Sequence, residues 1–482
     1  MDYWDLWWKE VSDEIDPGSG TPKSPDSYHT VGRSVPRADL PSKVTTGGNY
    51  VQDMSPAGLL HGRVVRPPSY GARLLTVESD FDDDEGIQLV RDGSFLGIVA
   101  ADEESAVKAA EQLKDQTTWK EETVFPVQDE LYDHLLRQPD QALLVVEGRP
   151  TDDLVPPVTT PSNAEHTITA TYKRPYQMHG ALSPSASMAI WEDDALTVWS
   201  HSQGVFSLRG ALAFVLGISI DKIRVLHAEG SGCYGHNGAD DAALDAALLA
   251  RAVPGSPVLV KWSREDEHAW EPYGSCALLK MQGSVSTDGS IVDWNHDVWS
   301  YTHSSRPRAS GETSSLLAAR DLSEPVPRPV PGPGGGSHGG IHRNADPLYT
   351  FPRKRIVKHF VPESPLRVSA LRGLGSFANV FAIESFMDEL ALAAQIDPVQ
   401  FRLNHLEDSR AKNVIEAAAA SAGWGKPMAE GHGRGIGFAQ YKNEKAYVAV
   451  VADVMVDADT GVIRLDRMTI AGDVGQVVNP DG

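Results

Sequence analysis

Apolar positions along this chain repeat with two periods, and the changes between them outline its elements. From about Gly47 to Glu147 they fall in short alternating runs. Gly62-Arg-Val-Val-Arg-Pro-Pro68 has the spacing of a strand, ended by two prolines that cannot donate to a ladder. Gly86 to Ala100 reads as a hairpin turning at Asp92-Gly93. Glu103 to Leu113 collects its apolar residues on one helical face. Together these predict a compact α+β unit.

A Pro/Thr/Ser linker, Thr151 to Ala164, separates that unit from a longer mixed region. Strands are expected at Thr167–Tyr172, Leu196–Ser200, Ile223–His227 and Val258–Trp262, with a helix from Phe206 to Leu216 that Gly217 stops. Lys280–Val285 and Ile291–Tyr301 form a long hairpin around Asp288-Gly289. Glu324 to Gly340, proline-rich and then glycine-rich, excludes a regular element and predicts a surface excursion or a loop over a site. Asn379 to Gln395 is a helix, and Asp397-Pro398 opens the next with a cap and a first-turn proline. Tyr447–Val456 and Ile463–Ala471 make a last hairpin, after which Asn479 to Gly482 reads as an interruption rather than a domain edge. The organisation expected is a segment and linker over 1–46, an α+β unit over 47–150, a larger α+β domain over 165–400, and the start of a further one over 401–482.

Length and charge narrow the partners. A chain of 482 residues is too long for one ordinary core. A net charge of −23 repels phosphate backbones and argues against nucleic acid. Two cysteines, Cys233 and Cys276, cannot make a four-cysteine zinc or iron–sulfur site, so any such centre belongs to a partner. No apolar run approaches the ~20 residues that cross a bilayer. The start, Met1 to Asp16, lacks the order of a secretory signal, and Trp4, Trp7 and Trp8 suit a docking face. Location, cytoplasmic or periplasmic, stays open. The acid run Asp80 to Glu85 reads as a solvated turn.

Three stretches carry candidate chemistry. In Glu229-Gly-Ser-Gly-Cys-Tyr-Gly-His-Asn-Gly-Ala-Asp-Asp241, four glycines let backbone approach a ligand, and a helix expected over Ala242 to Val253 follows, with Asp240 or Asp241 as its cap. Amides at a helix start suit an oxyanion or phosphate, although the same loop also serves as a tight turn with no ligand. Gly230, Gly232 and Gly235 keep dinucleotide-fingerprint spacing, but Asn237-Gly238 delays the helix and the strand ending at Trp262 carries no ribose-binding acid. His236 reads as a hydrogen-bond donor. Ser369-Ala-Leu-Arg-Gly-Leu-Gly-Ser-Phe377 repeats the logic, with Arg372 able to grip an oxyanion in two places. Trp199-Ser-His-Ser-Gln-Gly-Val205 presents His201 and Gln203 at a strand end. The acids from Glu265 to Glu271 read as a capped turn rather than a metal site, and the Gly-x-Ser-x-Gly match at Gly335 to Gly339 lacks the strand that a nucleophile elbow needs.

Together these stretches resemble the molybdopterin-binding subunit of the xanthine dehydrogenase and aldehyde oxidase family, nearest its isoquinoline 1-oxidoreductase and nicotinate dehydrogenase branch. Trp199 to Gln203, Gly230 to Asn237, and Leu371 to Gly375 followed by Glu384-Ser-Phe-Met-Asp-Glu-Leu-Ala391 carry the likeness in order. Val31-Gly-Arg-Ser-Val-Pro-Arg37 and His61 to Pro68 resemble the entrance to an a/b hammerhead domain. The resemblance implies an α+β fold: a hammerhead over 47–150, then molybdopterin-binding domains, the last incomplete. It implies molybdopterin, plain or as the cytosine dinucleotide, with [2Fe–2S] clusters on a small partner subunit. Gln203, Gly232, Tyr234, Gly235, Arg372 and Gly373 would cradle the cofactor, and no side chain would ligate the metal. The reaction implied is hydroxylation of an electron-poor carbon of an aldehyde or N-heterocycle with water. The family's general-base glutamate, in a Gly-x-Gly-Glu stretch, and its Gly-Gln-Gly stretch are both absent from this sequence. The chain is therefore expected to be inactive alone and to need a companion carrying those segments. A silent scaffold that keeps only the fold is the alternative.

Overall fold

A computed structural model describes residues 20–45, 50–78, 81, 86–122, 125–308 and 312–482. The tryptophan-rich start and the acidic residues of the Asp80 to Glu85 run lie outside the described residues. After a short helix α1 (Leu40–Val44) come β1 (Leu60–Val65), β2 (Arg73–Val77) and the hairpin β3 (Ile87–Asp92) with β4 (Phe95–Ala100). The hairpin closes at Asp92-Gly93 as the dipeptide dictates: Asp92 faces Phe95, and Gly93 takes φ of 63°. Helix α2 (Glu103–Asp115) starts where the Asp102 carboxylate accepts the Ser105 amide, and it buries Ala106, Ala109 and Leu113. Strand β5 (Thr117–Lys120), α3 (Leu131–Arg137), β6 (Gln141–Val146) and β7 (Arg149–Thr151) complete this part.

The next stretch runs β8 (His166–Arg174), β9 (Ala186–Glu192), β10 (Ala195–Ser200), α4 (Val205–Leu216), β11 (Ile223–His227), α5 (Ala239–Ala252), β12 (Val258–Lys261) and α6 (Arg264–Trp270). Gly217, at φ of 66°, closes α4. Seven strands form one sheet in the order β11-β10-β9-β12-β1-β4-β3, with β1 parallel to β12 and antiparallel to β4. The N-terminal strands and the later ones therefore share a sheet. Helix α5 is buried along nearly its whole length against it. A Cβ on Gly62 of β1 or Gly97 of β4 would stand 2.7 or 2.5 Å from the Leu249 methyls of α5, so two glycines admit one leucine.

Strands β13 (Tyr273–Gly274), β14 (Ala277–Val285), β15 (Ile291–Ser300), β16 (Lys354–Phe360) and β17 (Val368–Ser369) lead to α7 (Ser376–Ala393), α8 (Pro398–Asn404) and α9 (Ser409–Ala422). A six-stranded sheet, β7-β6-β16-β15-β14-β8, packs Trp294 of β15 against Phe386 of α7. Asp397 caps α8 by accepting the Val399 and Gln400 amides, as its place before Pro398 predicts. The chain continues into β18 (His432–Gln440), β19 (Tyr447–Val456) and β20 (Ile463–Asp473), an antiparallel sheet of three. One face of it sends Ile436, Phe438, Ala449 and Val451 into the core. The register gathers Gly433, Gly435, Gly437, Val450, Ala452, Val454, Ile463, Leu465, Met468 and Ile470 on the other face. The last four are exposed.

The architecture is α+β, as the patterning predicts. Several elements escape that patterning, among them β2, β5, α3, β6, β9, β16, β18 and α9. β9 is buried over its first four residues and shows no clean alternation. β18 alternates glycine where a side chain would mark the pattern, and β16 and α9 were not anticipated. Helix α5 begins at Ala239, three residues before the expected Ala242, with Gly238 at its N-cap and no side-chain cap. Neither Asp240 nor Asp241 caps it, because the two carboxylates pair with His236 and Arg367 inside the protein. The acids after β12 form α6, opened by a capping box between Ser263 and Asp266. Within it, Glu267 accepts from Ser185, and just beyond it Glu271 accepts the His179 amide. Both cysteines are free thiols. Among the described residues no helix is long and apolar enough to cross a membrane.

Candidate functional site

Two loops meet at the edge of β13 and β17. Gly235 bridges Leu371 in antiparallel fashion: the His236 amide donates to Ala370 O at 2.7 Å, and the Arg372 amide to Tyr234 O at 2.7 Å. A Cβ on Gly235 would lie 2.0 Å from the Ala370 carbonyl oxygen, and its φ is 137°, so space and backbone both demand glycine. Tyr234 (φ 55°) and Leu374 (φ 54°) occupy the left-handed region without being glycine, a conformation that costs about 1–3 kcal/mol each and gathers at functional loops. The turn containing Arg372 is thus locked to the glycine loop through the main chain, although 136 positions separate Gly235 from Leu371.

The glycine loop forms one wall of an open cavity of about 570 Å³, lined also by Gln203, His201, Lys43 and Tyr50. Four backbone amides of the loop, those of Ser231, Cys233, Tyr234 and Gly235, have no acceptor among the described residues. Beside them, Gln203 accepts from the Arg306 guanidinium through Oε1 and donates from Nε2 to Cys233 Sγ at 2.8 Å. A guanidinium only donates, so Arg306 fixes which way the amide points and leaves the Gln203 NH2 on the loop side. His201 is buried under Gly230; its Nε2 accepts the Ala186 amide, which puts the ring proton on Nδ1. Burial holds its pKa down to about 4, so the ring is neutral at pH 7.

Helix α5 supports the loop from beneath through its acids. Asp241 takes two bonds of 2.9 Å from Arg367 and one from the Leu317 amide. Asp245 pairs with Arg66 and accepts Trp262 Nε1 at 2.9 Å. Lys43, from the segment read as linker, reaches the cavity rim and pairs with Glu229 at 2.7 Å and Asp39 at 2.6 Å.

Gln203, Gly232 and Tyr234 therefore stand on one wall, with Gly235 as the hinge to the second loop. Arg372 and Gly373 do not line that cavity. They sit across the backbone pair, Arg372 exposed and without an acid partner among the described residues, and Gly373 at φ of 85° with Phe377 N 3.9 Å from where a Cβ would stand. The sequence reading missed Arg306, Lys43 and Tyr50. Ser305-Arg-Pro307 follows β15 with no spacing to mark it, and only the three-dimensional return of that segment brings it to Gln203.

A donor-rich glycine loop, paired with an arginine turn and backed by a buried helix, defines a scaffold for a large cofactor bearing several acceptor atoms. Comparison with known proteins gives the same class. Two family models, each described as a molybdopterin cofactor-binding domain, match residues 158–318 with 334–406, and residues 381–482. The B subunit of nicotinate dehydrogenase from Pseudomonas putida is 36% identical over 95% of this chain and 39% of its own length. The beta subunit of isoquinoline 1-oxidoreductase from Brevundimonas diminuta is 27% identical over 98% of the chain and 59% of its own. The crystal structure of quinoline 2-oxidoreductase from Pseudomonas putida 86 superimposes with a TM-score of 0.63 at 16% identity, covering 88% of this chain and 58% of that one. The chain belongs to the molybdopterin-binding subunits of the xanthine dehydrogenase and aldehyde oxidase family. It spans about two fifths to three fifths of the length of these relatives.

Proposed function

We propose that this chain holds a molybdenum–pterin cofactor against the Gly230–Gly235 wall, as one component of a hydroxylating dehydrogenase for N-heterocycles or aldehydes. The observation that carries this is the donor set: among the described residues the amides of Ser231, Cys233 and Tyr234 have no acceptor, and they share one wall with the oriented Gln203 NH2. A group rich in phosphate and oxo acceptors fits such an array. When bound, the cofactor supplies two-electron oxidation of a substrate carbon with oxygen from water, and the electrons leave to iron–sulfur clusters on a small partner subunit. The chain's own part is to bind and orient. Gln203 and the loop amides would hold the cofactor, Tyr234 would give an apolar wall, and Arg372 would present a guanidinium to cofactor or substrate. The nicotinate and isoquinoline enzymes both take their names from N-heterocycles, which favours that substrate class over a silent scaffold.

The assembly would also need further polypeptide. A groove of about 370 Å³ runs between Phe381 on α7 and Gly437, Val448 and Val450 on the C-terminal sheet. Phe377, Phe381, Leu392, Met468 and Ile470 of these two elements lie exposed. An apolar face of that extent fits a companion segment packing there. The test is molybdenum and pterin content of the full chain purified in its native assembly. Both should be present, and Gly235→Ala should lose them at least about tenfold. A wild-type assembly with neither, or dye reduction by the isolated chain, would overturn the respective proposal.

A further inference from the structure

A buried polar chain runs behind the site and reaches the neighbours of Gln203, Gly235 and Arg372. His236 sits at its centre, 3% exposed, with Nδ1 at 2.8 Å from Ser369 Oγ and Nε2 at 2.9 Å from Asp240 Oδ2. Ser369 Oγ also accepts the Ser305 amide at 3.1 Å. One placement of protons satisfies all three contacts. Ser305 N–H donates to Ser369, the Ser369 hydroxyl donates to His236 Nδ1, and His236 Nε2–H donates to Asp240. Such same-direction chains polarise and stiffen one another.

The positions of the members carry the argument. Ser305 precedes Arg306, whose guanidinium orients Gln203. Ser369 lies three residues before Arg372 on the strand that leads into its turn. His236 follows Gly235, the backbone hinge between the two loops. Asp240 is in the first turn of α5. Burial pushes the Asp240 carboxyl up, but the opposing effects of His236, Ser202 and Arg306 hold it below the usual range. We propose that Ser305, Ser369, His236 and Asp240 form one positioning unit that sets Gln203 against Arg372 across the site. This rests on the cofactor reading and assigns that site's geometry to residues that do not touch its cavity.

The test compares wild type with Ser369→Ala and His236→Phe in the full native assembly. It reads molybdenum and pterin per chain, melting temperature, and the electron paramagnetic resonance line shape of the reduced metal. Ser369→Ala should melt close to wild type yet change the line shape. His236→Phe should hold the cofactor roughly 10–100-fold more weakly, the range for losing a supporting partner of a metal centre. An unchanged line shape in Ser369→Ala would overturn the proposal, including the case where His236→Phe simply unfolds. A wild type without molybdenum would instead bring down the cofactor reading, and this proposal with it.

Discussion

Two glycines show how far one methyl group decides matters at this site. At Gly235 a Cβ would stand 2.0 Å from a carbonyl, in a left-handed backbone. Gly235→Ala should break the bridge to Leu371 and lower stability by roughly 1–3 kcal/mol. At Gly435, on the outward face of β18, nothing lies within 4 Å. Gly435→Ala should leave the melting temperature unchanged or raise it, by about 0.4–1 kcal/mol of chain entropy. Chemical denaturation of both variants checks the contrast, and equal losses would contradict it. Arg306→Ala tests a polar contact in the same way. Freed of its guanidinium, the Gln203 amide can turn over, and cofactor retention should fall about 10–100-fold with little change in melting.

Helices α5 and α6 fasten the loop to the sheets with charges kept out of water. Asp245 and Arg66 are both almost fully buried, and removing one leaves the other unpaired. Asp245→Ala should cost about 3–5 kcal/mol in a denaturant titration, far more than any surface pair. Glu267 of α6 behaves differently. Burial, with the neighbouring Glu271 carboxylate, pushes its pKa up to about 8 despite donation from Ser185. The folded chain then holds a proton that the unfolded chain releases from about pH 4.5 upward. Stability should therefore fall as pH rises from about 4.5 to about 8, and Glu267→Gln should flatten that fall in melting temperature against pH. A Gln variant that follows the wild-type curve would refute the assignment. The same scale shows which elements could be read in advance. The β3–β4 hairpin was legible because Asp-Gly names its turn, and α8 because Asp397-Pro398 names its start. β18 was not, since Gly433, Gly435 and Gly437 blank out one face of its alternation. The start of α5 was misplaced because its acids serve buried arginine and histidine partners rather than the helix end.

Across the whole molecule, local motifs disclosed the glycine loop, the Arg372 turn and Gln203, but not the way they fit together. The pairing of Tyr234 and Arg372 is between backbone atoms, and backbone leaves no trace in residue type. Arg306 reaches Gln203 over a separation of 103 residues, with no spacing rule to announce it. The exposed apolar face of the C-terminal sheet is a property of the same scale. Alone in solution, the chain should self-associate through it, and Met468→Lys with Ile470→Lys should shift light-scattering mass toward the monomer. A wild type that stays monomeric at high concentration would contradict this.

The parallel join of β1 to β12 also shapes how the molecule comes into being. Leu60 pairs with Val258, 198 positions later, so a nascent β1 has no partner on that edge until Val258 leaves the ribosome. At ~5–20 residues per second that wait lasts roughly 10–40 s. During it, the β1–β4–β3 ribbon offers an open edge, with Gly62 and Gly97 still lacking the leucine they accommodate. The N-terminal part is thus a client of its own later sequence, and its yield in cells should depend on chaperone supply during that interval.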